Sequence, residues 1–153
     1  MRKRHFALAI FLCVFALTGS WQARTQTQPS GRALLEAYVS AWNRRDFAAL
    51  DKLLAPDAVH EDMARPSRDV GVAQIKQAIR STIEDHPDLN WRLISVVDGG
   101  SSLAAEWVWT GTFNGDGRFA PRRISGRGAS VVVIENGQIK RFSDYYDFDS
   151  VFH

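Results

Sequence analysis

The spacing of apolar positions divides the chain from about residue 31 onward into a helical part and a strand-rich part. Leu34, Tyr38 and Trp42 recur at every fourth position. This spacing places them on one face of an α-helix, because the helix repeats about every 3.6 residues. The pattern predicts a first amphipathic helix from about Gly31 to Arg45.

Two further helices are predicted in the first half of the chain. Asp46 can cap a short helix, Phe47–Leu54, by accepting a hydrogen bond from a free backbone amide. A third helical pattern follows Gly71 and ends at His86-Pro87, because the residue before a proline disfavours the helical conformation. Between these two helices, Ala58–Met63 is a candidate for a short strand.

Beyond residue 90, apolar and polar positions alternate, which is typical of half-buried β-strands. Asn136-Gly137 lies between two such runs and is a strong hairpin signal, and Asp98-Gly99-Gly100 marks another turn. Helices followed by an antiparallel meander indicate an α+β domain. The strands predicted here are Asn90–Val97, Ser102–Phe113, Ser125–Ile134 and Gln138–Tyr146.

Two stretches break the regular patterns. Ala64–Arg68 contains Pro66 and is predicted to be a loop. Gly126 and Gly128 lie within a strand candidate and open no helix, so they do not form a dinucleotide-binding loop. We expect these two glycines to mark a bulge or a bend in a curved sheet.

The last predicted strand carries an acid between two aromatic residues. Phe142, Asp144 and Tyr146 share one face of this strand, because side chains alternate between faces. Such a group indicates either a pocket wall or a hydrogen-bonded carboxylate in the core. The rest of the domain is then expected to supply the other walls of that pocket.

The N-terminal segment has the composition of a secretory signal peptide. The basic residues of Arg2–Arg4 precede the apolar run Phe6–Leu17, and small residues follow in Thr18–Ser20. We expect cleavage after Ser20 or Ala23, which makes residues 1–23 the signal peptide, residues 24–30 a flexible linker and residues 31–153 one domain. An uncleaved membrane anchor is the alternative, although the run is short for a span. The mature protein is predicted to be secreted or periplasmic and to lie outside the membrane.

Charge and cysteine content change once this segment is removed. Three of the 19 Lys and Arg residues lie in it and none of the 17 Asp and Glu residues, so 16 basic and 17 acidic residues remain. Nucleic acid is therefore not expected as a partner, because no basic stripe remains. The only cysteine, Cys13, is also in this segment, so the mature chain is expected to have no disulfide.

Candidate proton-transfer chemistry lies on the strand Ala58–Met63, where His60 and Asp62 point to one face. Burial raises the pKa of a carboxylic acid toward the range useful for moving a proton. A buried phenol such as Tyr38 could hydrogen-bond an enolate oxygen. The alternatives are a hydrogen-bonded His60–Asp62 pair that orders the strand, and a Tyr38 that only packs in the core.

A metal site is an alternative interpretation of the same residues. His60, Asp62 and Asp144 could ligate a metal, but no second suitable histidine accompanies them. Neither a metal nor another cofactor is predicted.

The order of elements and the tyrosine-rich last strand resemble the nuclear transport factor 2-like fold, and within it the SnoaL-like branch. The similarity covers about residues 31–152. It implies an α+β cone in which a curved antiparallel sheet wraps round three N-terminal helices, with a ligand pocket between sheet and helices. The group includes ketosteroid isomerases, limonene epoxide hydrolases and polyketide cyclases.

The resemblance also implies site residues. Tyr38 and Asp62 fall where ketosteroid isomerases carry an oxygen-binding tyrosine and a proton-shuttling aspartate, and Ser130 stands in place of the second, acidic donor. Asp144 matches one catalytic carboxylate of the epoxide hydrolases, whereas Trp107 and Trp109 stand where those enzymes carry the other carboxylate and its arginine. An epoxide hydrolase mechanism is therefore not expected.

These observations predict a pocket for a small hydrophobic ligand. The leading hypothesis is a cofactor-free isomerase, cyclase or dehydratase that acts on a small carbonyl compound. The alternatives are a non-catalytic carrier and a partner-binding module. A homodimer through the open face of the sheet is also expected. The predicted catalytic residues are Asp62, Tyr38, His60 and Asp144, and the predicted ligand-binding residues are Trp42, Trp107, Trp109, Ser130, Phe142 and Tyr146.

Overall fold

A computed structural model describes residues 30–149 of the protein. The predicted signal peptide, residues 1–23, lies outside the described residues, as do most of the predicted linker and residues 150–153. Within the described range, no helix combines the length and the apolar character needed to cross a membrane.

The three predicted helices are confirmed. They are α1 (Gly31–Arg44), α2 (Phe47–Leu53) and α3 (Val72–Asp85). Ser30 caps α1 by accepting a hydrogen bond from the Ala33 amide, and Asp46 caps α2 by accepting one from the Ala49 amide, which satisfies donors that have no partner inside the helix.

One mostly antiparallel sheet of six strands holds the rest of the domain, in the order β2-β1-β6-β5-β4-β3. The meander from β3 to β6 is antiparallel, as the alternating pattern predicts. β1 joins this meander by pairing parallel to β6, a long-range pairing that no local signal marks. The strands are β1 (Leu54–Asp62), β2 (Ser67–Val70), β3 (Asn90–Asp98), β4 (Ser102–Phe113), β5 (Arg122–Glu135) and β6 (Gln138–Tyr146).

Two sequence-based predictions about β1 and β2 are wrong. β1 begins at Leu54 rather than Ala58 and includes Pro56, which is tolerated because the pairing with β6 is irregular between Leu54 and Val59. Residues 67 and 68 of the predicted loop belong to β2, a mostly exposed edge strand that pairs only with β1. Its sequence has no apolar alternation because neither face is fully buried.

The helices cover one face of the curved sheet, and this is the α+β cone expected from the sequence. The core lies between them, and Leu35 of α1, Val132 of β5 and Phe142 of β6 are each at most 1% exposed. Along β4, Ala104 and Glu106 point outward, away from Trp107. Pairing of two copies through this outer face stays a prediction.

Candidate functional site

A cavity of about 120 Å³ opens between the sheet and the end of α3. This is far more than the roughly 10–15 Å³ that one ordered water fills, so the cavity has room for a small organic ligand. Its wall combines tryptophans with carboxylates and imidazoles. The lining residues are Trp42, His60, Asp62, Arg65, Thr82, Asp85, His86, Leu89, Trp91, Trp107, Trp109, Asp144, Tyr146 and Phe148.

Two glycines make room for Trp107 and Trp109, which form the tryptophan wall of the cavity. Gly128 lies opposite Trp107, and Gly126 lies opposite Trp109, in the β4–β5 pair. A Cβ atom would lie 2.6 Å from the Trp107 ring at position 128 and 2.7 Å from the Trp109 ring at position 126. Of the expected bulge or bend, the bulge is wrong, because the β4–β5 register runs without a shift. The glycines allow the indoles to lie directly on the β5 backbone.

His60 and Asp144 form a hydrogen-bonded pair in the pocket wall. His60 Nε2 lies 3.0 Å from Asp144 Oδ2, and the two side chains are 15% and 14% exposed. Because a carboxylate oxygen accepts, the imidazole donates in this bond when Nε2 carries a proton. The site therefore holds a carboxylate that is largely buried yet still lines the cavity.

A buried serine holds the other oxygen of this carboxylate. Ser130 donates to Asp144 Oδ1 at 2.5 Å and accepts from the Trp107 indole N–H at 2.7 Å. Ser130 is fully buried behind the wall, so it positions Asp144 and Trp107 rather than contacting the cavity. The expectation that Ser130 lines the pocket is corrected accordingly.

The environment of His60 favours the protonated ring. Burial by itself lowers the pKa of His60, but the hydrogen bond to Asp144 and the charges of Asp144, Asp69 and Asp62 raise it above its ordinary value of 6.5. Asp69 Oδ2 lies 3.9 Å from His60 Nδ1. The imidazolium therefore lies between two carboxylates, one on β2 and one on β6.

Asp62 lines the same cavity but is saturated with hydrogen bonds. Its Oδ1 accepts from the Ala64 and Arg65 amides at 3.1 and 3.0 Å. Its Oδ2 accepts from Arg65 Nε at 2.9 Å and from the Tyr146 hydroxyl at 2.8 Å. A carboxylate offers about four acceptor positions, so these four bonds leave none of them free for a ligand.

Tyr146 and Arg65 complete this second cluster. Burial, and then the hydrogen bond to Asp62, raise the pKa of the Tyr146 phenol, so it stays protonated and donates. Arg65 comes from the segment after β1 and is 57% exposed. The cluster ties the end of β1 to β6 at the edge of the pocket.

Tyr38 and Phe142, both expected in the pocket, lie behind its wall. Tyr38 is 1% exposed, with its ring 6.1 Å from that of Trp91 and 5.1 Å from that of Phe142. Burial raises the pKa of the Tyr38 phenol. Tyr38 therefore packs in the core, which was the alternative interpretation of this residue. Trp91 lies at the cavity, where Tyr38 was expected.

Sequence analysis missed Trp91 and His86. Trp91 is the second residue of β3. Its backbone carbonyl accepts from the Asn43 side-chain amide at 2.7 Å, and its backbone N–H donates to the Asn43 side-chain oxygen at 2.8 Å. Its indole N–H is buried and has no hydrogen-bond partner in the described part of the chain. A tryptophan near the start of an alternating strand was the available signal. His86 follows α3 directly, and its place before Pro87 indicates only the end of that helix.

Among residues 30–149, no group of three or more His, Cys, Asp or Glu side chains is arranged to hold a metal ion.

Comparison with known proteins agrees with the fold. The family model of the SnoaL-like domain matches residues 35–142, which is most of the described chain. The search of curated protein sequences gave no significant match.

Solved structures show the same fold at low sequence identity. TsrD from Streptomyces laurentii is 26% identical, with a TM-score of 0.67 over 78% of this chain and 89% of that one. A SnoaL-like polyketide cyclase from Agrobacterium tumefaciens is 19% identical, with a TM-score of 0.69 over 80% and 95%. A protein of ketosteroid isomerase-like fold from Catenulispora acidiphila, in complex with trimethylamine, is 22% identical, with a TM-score of 0.68 over 80% and 91%.

Proposed function

The chain belongs to the SnoaL-like domain family, and we propose that its pocket moves a proton on a small, largely hydrophobic carbonyl compound without a cofactor. The observation that carries this proposal is the His60–Asp144 pair in an aromatic cavity. Isomerisation, cyclisation and dehydration of such compounds all begin by removal of a proton next to a carbonyl group.

Asp144 is the base in this proposal. Each of its oxygens accepts one hydrogen bond, from Ser130 or from His60, so each keeps a further acceptor position. The imidazole of His60, whose surroundings favour its positive charge, lies 3.0 Å from one of these oxygens. A positioned carboxylate of this kind contributes roughly 10²–10⁴-fold in rate.

Asp62 has a supporting role instead. Sequence analysis favoured it as the base, but its four hydrogen bonds leave no acceptor position free. Asp62 therefore orders the pocket edge and adds negative charge near His60.

Removal of the proton leaves negative charge on the carbonyl oxygen, which needs a hydrogen-bond donor. Trp91 offers a buried indole N–H that has no hydrogen-bond partner within residues 30–149. The Asn43 side chain fixes the backbone of Trp91 by hydrogen bonds to its carbonyl oxygen and its N–H. A fixed, desolvated donor that points at the developing charge contributes roughly 10²–10³-fold in rate. Trp91 takes the role that sequence analysis gave to Tyr38.

A ligand carrier is the second candidate. Both oxygens of Asp144 already accept a hydrogen bond, which is also how a purely structural carboxylate is arranged. A carrier would bind the same ligands without moving a proton, so binding and turnover must be measured separately.

Exchange of the acidic protons of 2-tetralone in deuterium oxide tests the proposal. This small bicyclic ketone suits the aromatic wall of the cavity, and exchange requires only proton removal and return. NMR should show exchange that is accelerated by the protein and saturates with ketone concentration. Saturable binding without acceleration would support the carrier instead.

Export is part of the proposal. The order of basic, apolar and small residues in residues 1–20 supports it. The pocket would then act on compounds outside the cytoplasm.

A further inference from the structure

His86 is a buried imidazole that lines the cavity from the end of α3. It is 9% exposed, and its ring lies 6.1 Å from that of Trp109 and 5.4 Å from that of Phe113. The proton transfer proposed above makes no use of it. Its Nε2 atom is buried and has no hydrogen-bond partner among the described residues.

The hydrogen bond at Nδ1 indicates the tautomer of the His86 ring. His86 Nδ1 lies 3.0 Å from the Thr82 carbonyl oxygen, which also accepts from the His86 amide. A carbonyl oxygen only accepts, so Nδ1 must carry the proton. In the neutral ring, Nε2 is then a bare acceptor, and its lone pair points away from the helix because the two ring nitrogens point in divergent directions.

A buried acceptor without a partner is unfavourable, and each such group in a native structure calls for an explanation. A pocket that binds a ligand supplies one, because the ligand can bring the missing donor. The surrounding wall of Trp109, Trp107 and Leu89 is suited to an aromatic or alicyclic ligand body.

We propose that the natural ligand carries a hydroxyl group that donates a hydrogen bond to His86 Nε2. This inference rests on the proposed function, because it assigns a second polar contact in the same pocket. The ligand class is therefore a compact hydroxylated ketone, with its carbonyl group toward Trp91 and Asp144 and its hydroxyl group toward His86. His86 would determine specificity, since a site built for a hydroxyl group discriminates against analogues that lack it.

A pair of probes that differ by a methyl group in place of the hydroxyl hydrogen tests this assignment. 2-Naphthol can donate to Nε2, whereas its methyl ether, 2-methoxynaphthalene, cannot. Binding is followed by quenching of tryptophan fluorescence, since four tryptophans line the cavity. Wild-type protein should bind 2-naphthol roughly tenfold more tightly than the ether, the factor expected for one net hydrogen bond.

Two variants separate the two ring nitrogens. In His86→Asn the amide can still donate to the Thr82 carbonyl, but nothing reaches the Nε2 position. In His86→Gln the longer amide places an acceptor near that position. His86→Asn should bind 2-naphthol and 2-methoxynaphthalene with about equal affinity, and its affinity for the ether should equal that of wild type. His86→Gln should keep part of the preference for 2-naphthol.

The outcomes are distinguishable. An equal preference in wild type and His86→Asn, or equal binding of both probes by wild type, would overturn the role of His86. Acceleration of 2-tetralone exchange by wild-type protein would still support the proposed function in that case, because that ketone has no hydroxyl group. Failure of both probes to bind would also overturn the role of His86, and the proposed function would fall with it only if the protein also failed to accelerate 2-tetralone exchange.

Discussion

Asp144 accepts a hydrogen bond from His60 Nε2 at 3.0 Å, although the two residues lie 84 positions apart in the chain. The parallel pairing of β1 with β6 brings them together. The same pairing places Asp62 directly beside Asp144, so two acids share one cavity with different surroundings. Each oxygen of Asp144 accepts one hydrogen bond and keeps a further acceptor position, whereas each oxygen of Asp62 accepts two.

The raised pKa of His60 makes stability depend on pH. A histidine whose pKa is higher in the folded than in the unfolded protein stabilises the fold fully below its unfolded pKa, and loses this contribution as pH rises through the folded value. Wild type should therefore have a higher free energy of unfolding than His60→Gln. This difference should be largest below about pH 6.5 and should shrink as the pH rises above it. Urea unfolding at several pH values measures this. A gap that widens as pH rises would contradict it.

Asp62→Asn is predicted to cost stability more than activity. The substitution keeps the shape but removes the charge that Arg65, Tyr146 and the backbone amides surround. We expect a loss of about 1–3 kcal/mol in free energy of unfolding, because Arg65 is half exposed and solvent offsets part of the cost. Asp57→Asn on the same strand is the control, since Asp57 is exposed. If both variants lost the same small amount, the cluster would be unimportant.

Gly128→Ala should disturb the tryptophan wall. The new methyl group would lie 2.6 Å from the Trp107 ring and 2.6 Å from the Tyr145 carbonyl oxygen, so the indole or the strand must move. We expect a loss of about 1–3 kcal/mol in stability and weaker binding of 2-naphthol. Ser125→Ala, at an exposed position of the same strand, should change neither. Normal binding by Gly128→Ala would show that the close approach is unimportant.

The mature protein is predicted to begin near Trp21 or Arg24. The charge and apolar pattern of residues 1–20 motivates this. Intact mass of protein recovered from the cell envelope or medium measures the start directly. A chain that retains Met1 and stays with the membrane would contradict the prediction.

Much of the fold could be predicted because its signals are local. The every-fourth apolar spacing of Leu34 and Tyr38 gave α1, and Asn136-Gly137 gave the last hairpin, where both residues have positive φ values of 51° and 75°. β2 was missed because a short, exposed edge strand has no burial pattern to read.

The site was predicted only in part, because its chemistry depends on long-range pairing. Face parity correctly put His60, Asp62 and Asp144 on inward faces. It could not show that the turn after β1 and Tyr146 would saturate Asp62. Nor could the apolar stripe of α1 show that Trp91, from the opposite edge of the sheet, would separate Tyr38 from the cavity.

The most direct measurement is the exchange rate of 2-tetralone with Asp144→Asn, compared with wild type and Asp57→Asn. The asparagine keeps the size of the side chain and can still accept from Ser130, but it cannot take a proton. Exchange should fall at least about 10²-fold in Asp144→Asn and stay at the wild-type rate in Asp57→Asn, with 2-tetralone still bound. Exchange by Asp144→Asn within twofold of wild type would contradict the assignment of Asp144 as the base.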